Sequence, residues 1–260
     1  MQQERRLEVI KRKLVTVLYF VTGWKYGLHA QKVGNFLIRI PCFGRFIAFF
    51  YWKVWQSVFY KKPKDSWEEL GTTYKMRVET VARRANELWE KWFLNEVFPE
   101  KITSVLDVGC GYGRLLEILK RERGRLNLVG VDFSSSQLKT AKKYLKDDRI
   151  RLLEVDVTKG LPFKDRSFEL VTTNGCLQHI YRKDIDFVLS ELLRVSRRYV
   201  ITVESERIGP RVFGHDIREL LMKKGVESQK RKIPDVLVKY DNGTGITGEV
   251  QYVTVVDKIE

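Results

Sequence analysis

Three scarcities in this sequence each remove a class of protein. Cysteine occurs three times, at Cys42, Cys110 and Cys176, with no Cys-x-x-Cys spacing. That number and scatter make neither a disulfide framework nor a zinc site. The expectation is a reducing, cytoplasmic setting and no bound metal. No apolar run reaches the roughly 20 nearly uncharged residues that a membrane-spanning helix needs. Leu14–Val21 is too short, and Val33–Tyr60 is interrupted by Arg39, Arg45 and Lys53 and broken by Pro41. Acidic residues are almost missing from positions 1–64, which hold 2 Asp or Glu against 13 Lys or Arg. Residues 65–260 are nearly balanced, with 31 against 35. The net charge of +15 therefore belongs mainly to the N-terminal quarter, and the chain as a whole does not read as a general nucleic-acid binder.

That quarter is also aromatic. Phe36, Phe43, Phe46, Phe49, Phe50, Tyr51, Trp52, Trp55, Phe59 and Tyr60 alternate with cations. Residues 1–64 are expected to form a helical, basic extension. One reading is a helix lying at an anionic membrane surface, peripheral rather than spanning. A lid or dimer face packed on the main domain is a second, and an RNA-binding arm a third. The basic stretch before Leu14–Val21 has the outline of a signal peptide, but no small-x-small cleavage site follows. Lys61–Asp65 (KKPKD) reads as a linker, and a globular domain is expected over residues 65–260.

The domain opens with a helical pattern from Ser66, a candidate cap with Glu69 three residues on, to the neighbourhood of Phe98-Pro99. Tyr74 and Arg77 lie one turn apart on it and could face one ligand, or could simply be a packed ring and a solvated cation. Val105–Arg114 (VLDVGCGYGR) then reads as a buried strand, a turn with Gly109, Gly111 and Gly113, and a helix starting near Tyr112. Such a turn lets a ligand lie against bare peptide at a helix start.

Further strands are expected at Asn127–Asp132, Ile150–Asp156, Phe168–Thr173 and Tyr199–Val203, alternating with helices. One helix is capped by Ser134 and another follows Asp184. This alternation implies an α/β fold with a mostly parallel sheet and helices on both faces. Asp107, Asp132, Asp156 and Asn174 all fall at carboxyl ends of strands, where such sheets bind ligands. After a helix at Asp216–Lys224, two polar or alternating segments, Gly225–Lys232 and Glu249–Val256, flank a turn around Asn242, Gly243 and Gly245. They predict a terminal antiparallel hairpin at the sheet edge.

A dinucleotide dehydrogenase would also carry glycines after its first strand. Asp107 and Asp156 are not part of that fingerprint. The set VLDVGCGYG, VGVDFS, EVDVTKGLPF and SFELVTTNGCLQHI resembles the class I S-adenosylmethionine-dependent methyltransferases, over about residues 70–256. The resemblance implies a Rossmann-like, seven-stranded sheet. It implies S-adenosylmethionine (SAM) as cofactor, with Asp107, Gly109, Gly111, Gly113 and neighbouring backbone at its methionine part. Asp132 would take the ribose hydroxyls, Phe133 would pack beside the adenine, and Asp156 and the Val157 N–H would read the adenine edge. Asn174 and Gln178 would line the methyl side.

Methyl transfer needs an in-line approach in a dry site, and a base only where the nucleophile must lose a proton. His179, just after the fourth strand, is the first candidate base and His215 the second. The Thr172-Thr173-Asn174-Gly175 stretch departs from the (D/N)PP(Y/F) pattern of enzymes that methylate base or glutamine amino groups. The expected acceptor is a small molecule or a lipid-linked one. The alternatives are an RNA methyltransferase and a binding protein that keeps the fold without catalysis.

Overall fold

In a computed structural model of the 260-residue chain, residues 67–68, 73–76, 83–206, 208–209, 212–234 and 251–258 are described. Chain contacts divide the protein into two compact units. One comprises Met1–Lys61 with Ile208–Arg211, the other Lys62–Arg207 with Val212–Glu260. The second carries the fold set out below. The N-terminal extension, the Ser66–Glu69 cap, Arg77 and the turn around Asn242, Gly243 and Gly245 lie outside the described residues.

Seven strands form one sheet: β1 (Ser104–Val108), β2 (Asn127–Asp132), β3 (Arg151–Glu154), β4 (Phe168–Asn174), β5 (Ser196–Ser205), β6 (Gln229–Lys232) and β7 (Gln251–Asp257). Their spatial order is β3-β2-β1-β4-β5-β7-β6. The first five run parallel, and β7 runs antiparallel to both β5 and β6. The order reverses between β1 and β4, and a crevice at such a reversal is where open parallel sheets take ligands.

Among the described residues, the helices packed on this sheet are α1 (Arg83–Glu96), α2 (Arg114–Glu122), α3 (Ser135–Leu145), α4 (Ile185–Val195) and α5 (Ile217–Lys223). Their apolar stripes fall into two cores. Trp89 and Phe93 of α1, Leu115 to Leu119 of α2, and Ala141 and Leu145 of α3 pack with Val105, Leu170 and Ile201. Val188, Leu189 and Leu192 of α4 and Ile217 and Leu221 of α5 pack with Leu106, Val171 and Val200. Neighbouring residues of one strand thus enter opposite cores, as the period-2 geometry of a strand requires. Both faces are covered by helices, and the sheet is the buried middle layer of three.

Some boundaries differ from the sequence expectation for local reasons. The helix after the glycine turn begins at Arg114, because Gly113 at φ 85° is left-handed and cannot be its first residue. The third strand ends at Glu154; Asp156 turns out of it to accept hydrogen bonds from the Thr158 N–H and hydroxyl. The two terminal strands pair as expected, but the last one lies inside. β7 sits between β5 and β6, its Val253 and Val256 buried, and the polar QKRK strand β6 takes the edge. An edge strand of cations resists pairing with another chain.

Candidate active site

The glycine turn is fixed by its neighbours. The N–H groups of Gly109 and Cys110 both donate to the Val131 carbonyl, at 2.8 and 3.0 Å, tying the turn to the end of β2. Gly109 has φ 73°, and a Cβ there would lie 2.5 Å from Cys176 Sγ, so the loop after β4 closes against bare backbone. Gly111, at φ 55°, is different: among the described residues a Cβ would meet nothing nearer than Gln137 Oε1 at 3.9 Å. The turn is packed at its first glycine and open at its second.

Two carboxylates are buried beside it. Asp132, 7% exposed at the end of β2, accepts the Gly111 N–H on Oδ2 and the Ser134 N–H on Oδ1, each at 2.9 Å. Asp107, 2% exposed, lies in register between Gly130 of β2 and Thr172 of β4. Burial, reinforced by the charge of Asp132 and opposed by Arg114, pushes the Asp107 carboxyl up to about 7. Burial also raises Asp132, against the pull of the Ser134 and Gly111 N–H groups. Two desolvated acids beside an open turn make a place where a cation is favoured.

A short aromatic chain crosses the same region. The Trp67 ring meets Tyr74 edge-on at 5.0 Å and His179 at 5.4 Å, and Tyr74 meets Tyr112 of the glycine turn at 6.1 Å. Glu68 ties this segment down. Its carboxylate accepts the N–H groups of Ser135 (2.7 Å) and Ser136 (3.1 Å), the first residues of α3. An anion is stabilised there by the unpaired N–H groups and by the helix dipole. Ser134 caps the same helix by accepting the Gln137 N–H.

Residues 105–198 match the methyltransferase domain family. The chain is similar to the demethylmenaquinone methyltransferase of Thermotoga maritima, 39% identical over 103 residues, which are 40% of this chain and 42% of that protein. It is also similar to the 2-methyl-6-phytyl-1,4-hydroquinone methyltransferase of Synechocystis, 37% identical over 93 residues, 36% of this chain and 28% of that one. The solved structure of magnesium protoporphyrin IX methyltransferase from Synechocystis with bound SAM superposes with a TM-score of 0.55 at 15% identity. That match covers 76% of this chain and 98% of the other. The family match spans β1 to the start of β5, and the superposition shows that the fold is shared. The chain spans about half the length of the curated relatives it matches.

The loop after β4 is organised by a residue that the four sequence motifs do not include. Glu204 of β5, 3% exposed, accepts on Oε1 from Thr173 Oγ1 (2.9 Å), Cys176 N (3.1 Å) and Leu177 N (3.0 Å). Its Oε2 accepts from Gln178 N (3.1 Å). Burial raises its carboxyl to about 7, against the pull of those four donors. The detectable signal was an acid ending the apolar run YVITVE, since a carboxylate in a central strand must be paired. Trp67, Glu68 and Gln137 were likewise missed; each lies in a segment read for helix capping or periodicity alone.

The other expected site residues fall as follows. Phe133 is half-buried directly after Asp132. Asp156 Oδ1 accepts from Thr158 N (3.1 Å) and Oγ1 (2.6 Å) and caps a short turn in which Val157 is buried. Asn174 ends β4, and Gln178 Nε2 donates to the Gly175 carbonyl at 3.3 Å. His179 is half-buried, with Nε2 3.5 Å from Gln178 Nε2, and faces Trp67. His215 is elsewhere in role: it is 5% exposed, and its Nε2–H donates to the Ile180 carbonyl at 2.8 Å. Burial holds its imidazole below the ordinary value, so it is neutral at pH 7. Among the described residues no three His, Cys, Asp or Glu side chains gather where they could hold a metal ion, and no helix is long and apolar enough to cross a membrane.

Proposed function

We propose that this protein transfers a methyl group from SAM to a small, apolar or lipid-linked acceptor. The observation that carries the reading is the pair of buried acids, Asp107 and Asp132, around a glycine turn left open at Gly111. SAM fits that arrangement chemically. It brings a sulfonium and an ammonium to a site that disfavours two bare carboxylates, and a diol to a carboxylate that accepts.

When bound, SAM supplies an activated methyl group. The chain's own residues hold, orient and exclude water. Asp132 would accept from the ribose hydroxyls, Asp107 would compensate the ammonium, and Phe133, Asp156 and the Val157 N–H would hold the adenine. The loop from Asn174 to His179, held by Glu204, borders the methyl side. Trp67, edge-on to His179, sets an apolar ring beside that loop, which suits an apolar acceptor and helps exclude water. His179 is the group within the loop able to take a proton from an acceptor hydroxyl or activated carbon. The named relatives act on a demethylmenaquinone and on a phytyl hydroquinone, which supports an acceptor of that chemical type over RNA.

The same reading assigns residues 1–64 to docking on an anionic membrane surface, where such an acceptor would reside. Radiolabelled methyl transfer from SAM tests the function across lipid extract, small-molecule and RNA fractions, with Asp132→Ala as control. Label in the lipid or small-molecule fraction, lost in the variant, is expected. Label in RNA alone overturns the acceptor assignment, and no label in any fraction overturns the activity. Co-sedimentation with phosphatidylglycerol vesicles, lost at high salt, tests the docking.

A further inference from the structure

Gln137 stands on the first turn of α3, five residues after Asp132, and is 1% exposed. Its backbone N–H is used, donating to Ser134 Oγ at 3.3 Å. Its side-chain amide is not: among the described residues neither Oε1 nor Nε2 has a hydrogen-bond partner. A buried primary amide with both ends unpaired is costly, and such a group normally meets a ligand or an ordered water. The amide's location indicates which ligand group is near. Among the described residues Oε1 is the atom nearest to a Cβ placed on Gly111, at 3.9 Å, and the Gly111 N–H is bonded to Asp132 Oδ2. Amide and carboxylate therefore flank one glycine.

Their hydrogen-bonding abilities are complementary. An ionised carboxylate can only accept, so it takes the O–H protons of a vicinal diol and leaves the hydroxyl oxygens with unused lone pairs. An amide –NH2 donates to such lone pairs. We propose that Gln137 is a second ribose-binding residue, its Nε2–H donating to a hydroxyl oxygen whose own O–H is held by Asp132. The assignment rests on the SAM reading above and adds a residue to it. It makes Gln137 a determinant of selectivity for the ribose: a ligand without the hydroxyl would leave the amide buried and unpaired.

The test uses the full chain and calorimetric titration with S-adenosylhomocysteine and its 2′-deoxy and 3′-deoxy analogues. Gln137→Met keeps length and apolar volume, Gln137→Leu gives a second packing solution, and Gln137→Glu keeps length and polarity but removes the donor. Each variant is expected to bind S-adenosylhomocysteine about tenfold more weakly than wild type, one hydrogen bond's worth. Each should also lose most of the wild type's preference over one of the two deoxy analogues. The unliganded Met variant should melt at or above the wild-type temperature, because an unpaired amide has been removed. Binding within twofold of wild type, or weaker binding with the preference over both analogues intact, overturns the assignment. Failure of the wild type to bind S-adenosylhomocysteine overturns the SAM reading itself, and this assignment with it.

Discussion

Glu204 accepts the backbone N–H of Leu177 at 3.0 Å, and through it the end of β5 sets the shape of the loop that follows β4. Three further donors, from Thr173, Cys176 and Gln178, converge on the same carboxylate. Glu204→Gln keeps the volume but turns an –NH2 toward donors that need an acceptor. The expected cost is about 1–3 kcal/mol of stability, the range for a buried donor left unsatisfied. Hydrogen exchange should quicken at Cys176, Leu177 and Gln178 before it does elsewhere. Methyl transfer should fall more than S-adenosylhomocysteine affinity if the loop borders the methyl side, as proposed. A variant with unchanged exchange at these amides would show that the loop holds itself.

Asp107 makes stability and ligand affinity depend oppositely on pH. Its carboxyl ionises near 7 when folded, against 3.8 as the ordinary value, so the folded chain binds the proton more tightly than the unfolded one. Stability from this group is complete below about pH 4 and is lost as pH rises to about 7, by a few kcal/mol at most. Asp107→Asn removes that dependence. Denaturant unfolding should find the variant more stable than wild type at pH 8, by about 2 kcal/mol or more, and indistinguishable near pH 4. Glu204, also pushed up to about 7, is common to both proteins and cancels in the difference. SAM binding should run the other way. Its positive charge favours the ionised acid, so wild-type affinity should rise from pH 6 to 7.5, and the Asn variant should bind weakly with a flat profile.

Gly109 and Gly111 have similar backbone angles and should fail differently on substitution. Gly109→Ala forces a side chain into φ 73° and against Cys176 Sγ at 2.5 Å. Strain and overlap together should cost about 2–4 kcal/mol of stability. Gly111→Ala meets only the left-handed backbone penalty, about 1–2 kcal/mol, because among the described residues nothing stands nearer than 3.9 Å. Its methyl group enters the face proposed for the ligand, so its larger effect should be on affinity. Melting temperature and S-adenosylhomocysteine titration of the two variants separate the outcomes. Equal affinity in Gly111→Ala and wild type would remove the ligand from that face.

The parallel strands were legible because each is a short apolar run closed by an acid or amide, with helical periodicity between. Asp107, Asp132 and Asn174 could be placed at strand ends from order alone. What could not be read was which side chains lie across from one another. Glu204 and Leu177 are far apart in sequence, and only the β4–β5 register brings them together. Glu68 reaches the start of α3 by the same kind of long-range closure, which nothing in the SWEEL run marks. The interior position of β7 was hidden for a related reason. A hairpin pattern shows that two strands pair, but burial of Val253 and Val256 decides which of them joins β5.

His179 was the first candidate base in the sequence and His215 the second, and their surroundings now separate them further. His215 joins the 213–215 segment to the loop after β4 through the Ile180 carbonyl, and Arg182 adds hydrogen bonds to the carbonyls of Phe213 and Gly214. His215→Ala should lower stability by about 1–3 kcal/mol and leave the Kd for SAM within a few-fold of wild type. Its buried, neutral ring adds a pH signature. With a folded value below the ordinary 6.5, stability is complete above that value and is lost as pH falls beneath it, toward the folded value. The alanine variant should lack this acid-side loss, and Arg182 stands near the ring to oppose its protonation. His179 is half-buried, faces Trp67, and is proposed as the proton acceptor. His179→Ala should lower kcat by about 10²-fold or more while melting temperature and SAM affinity stay near wild type. Undiminished turnover in His179→Ala would mean that the acceptor needs no base from this loop.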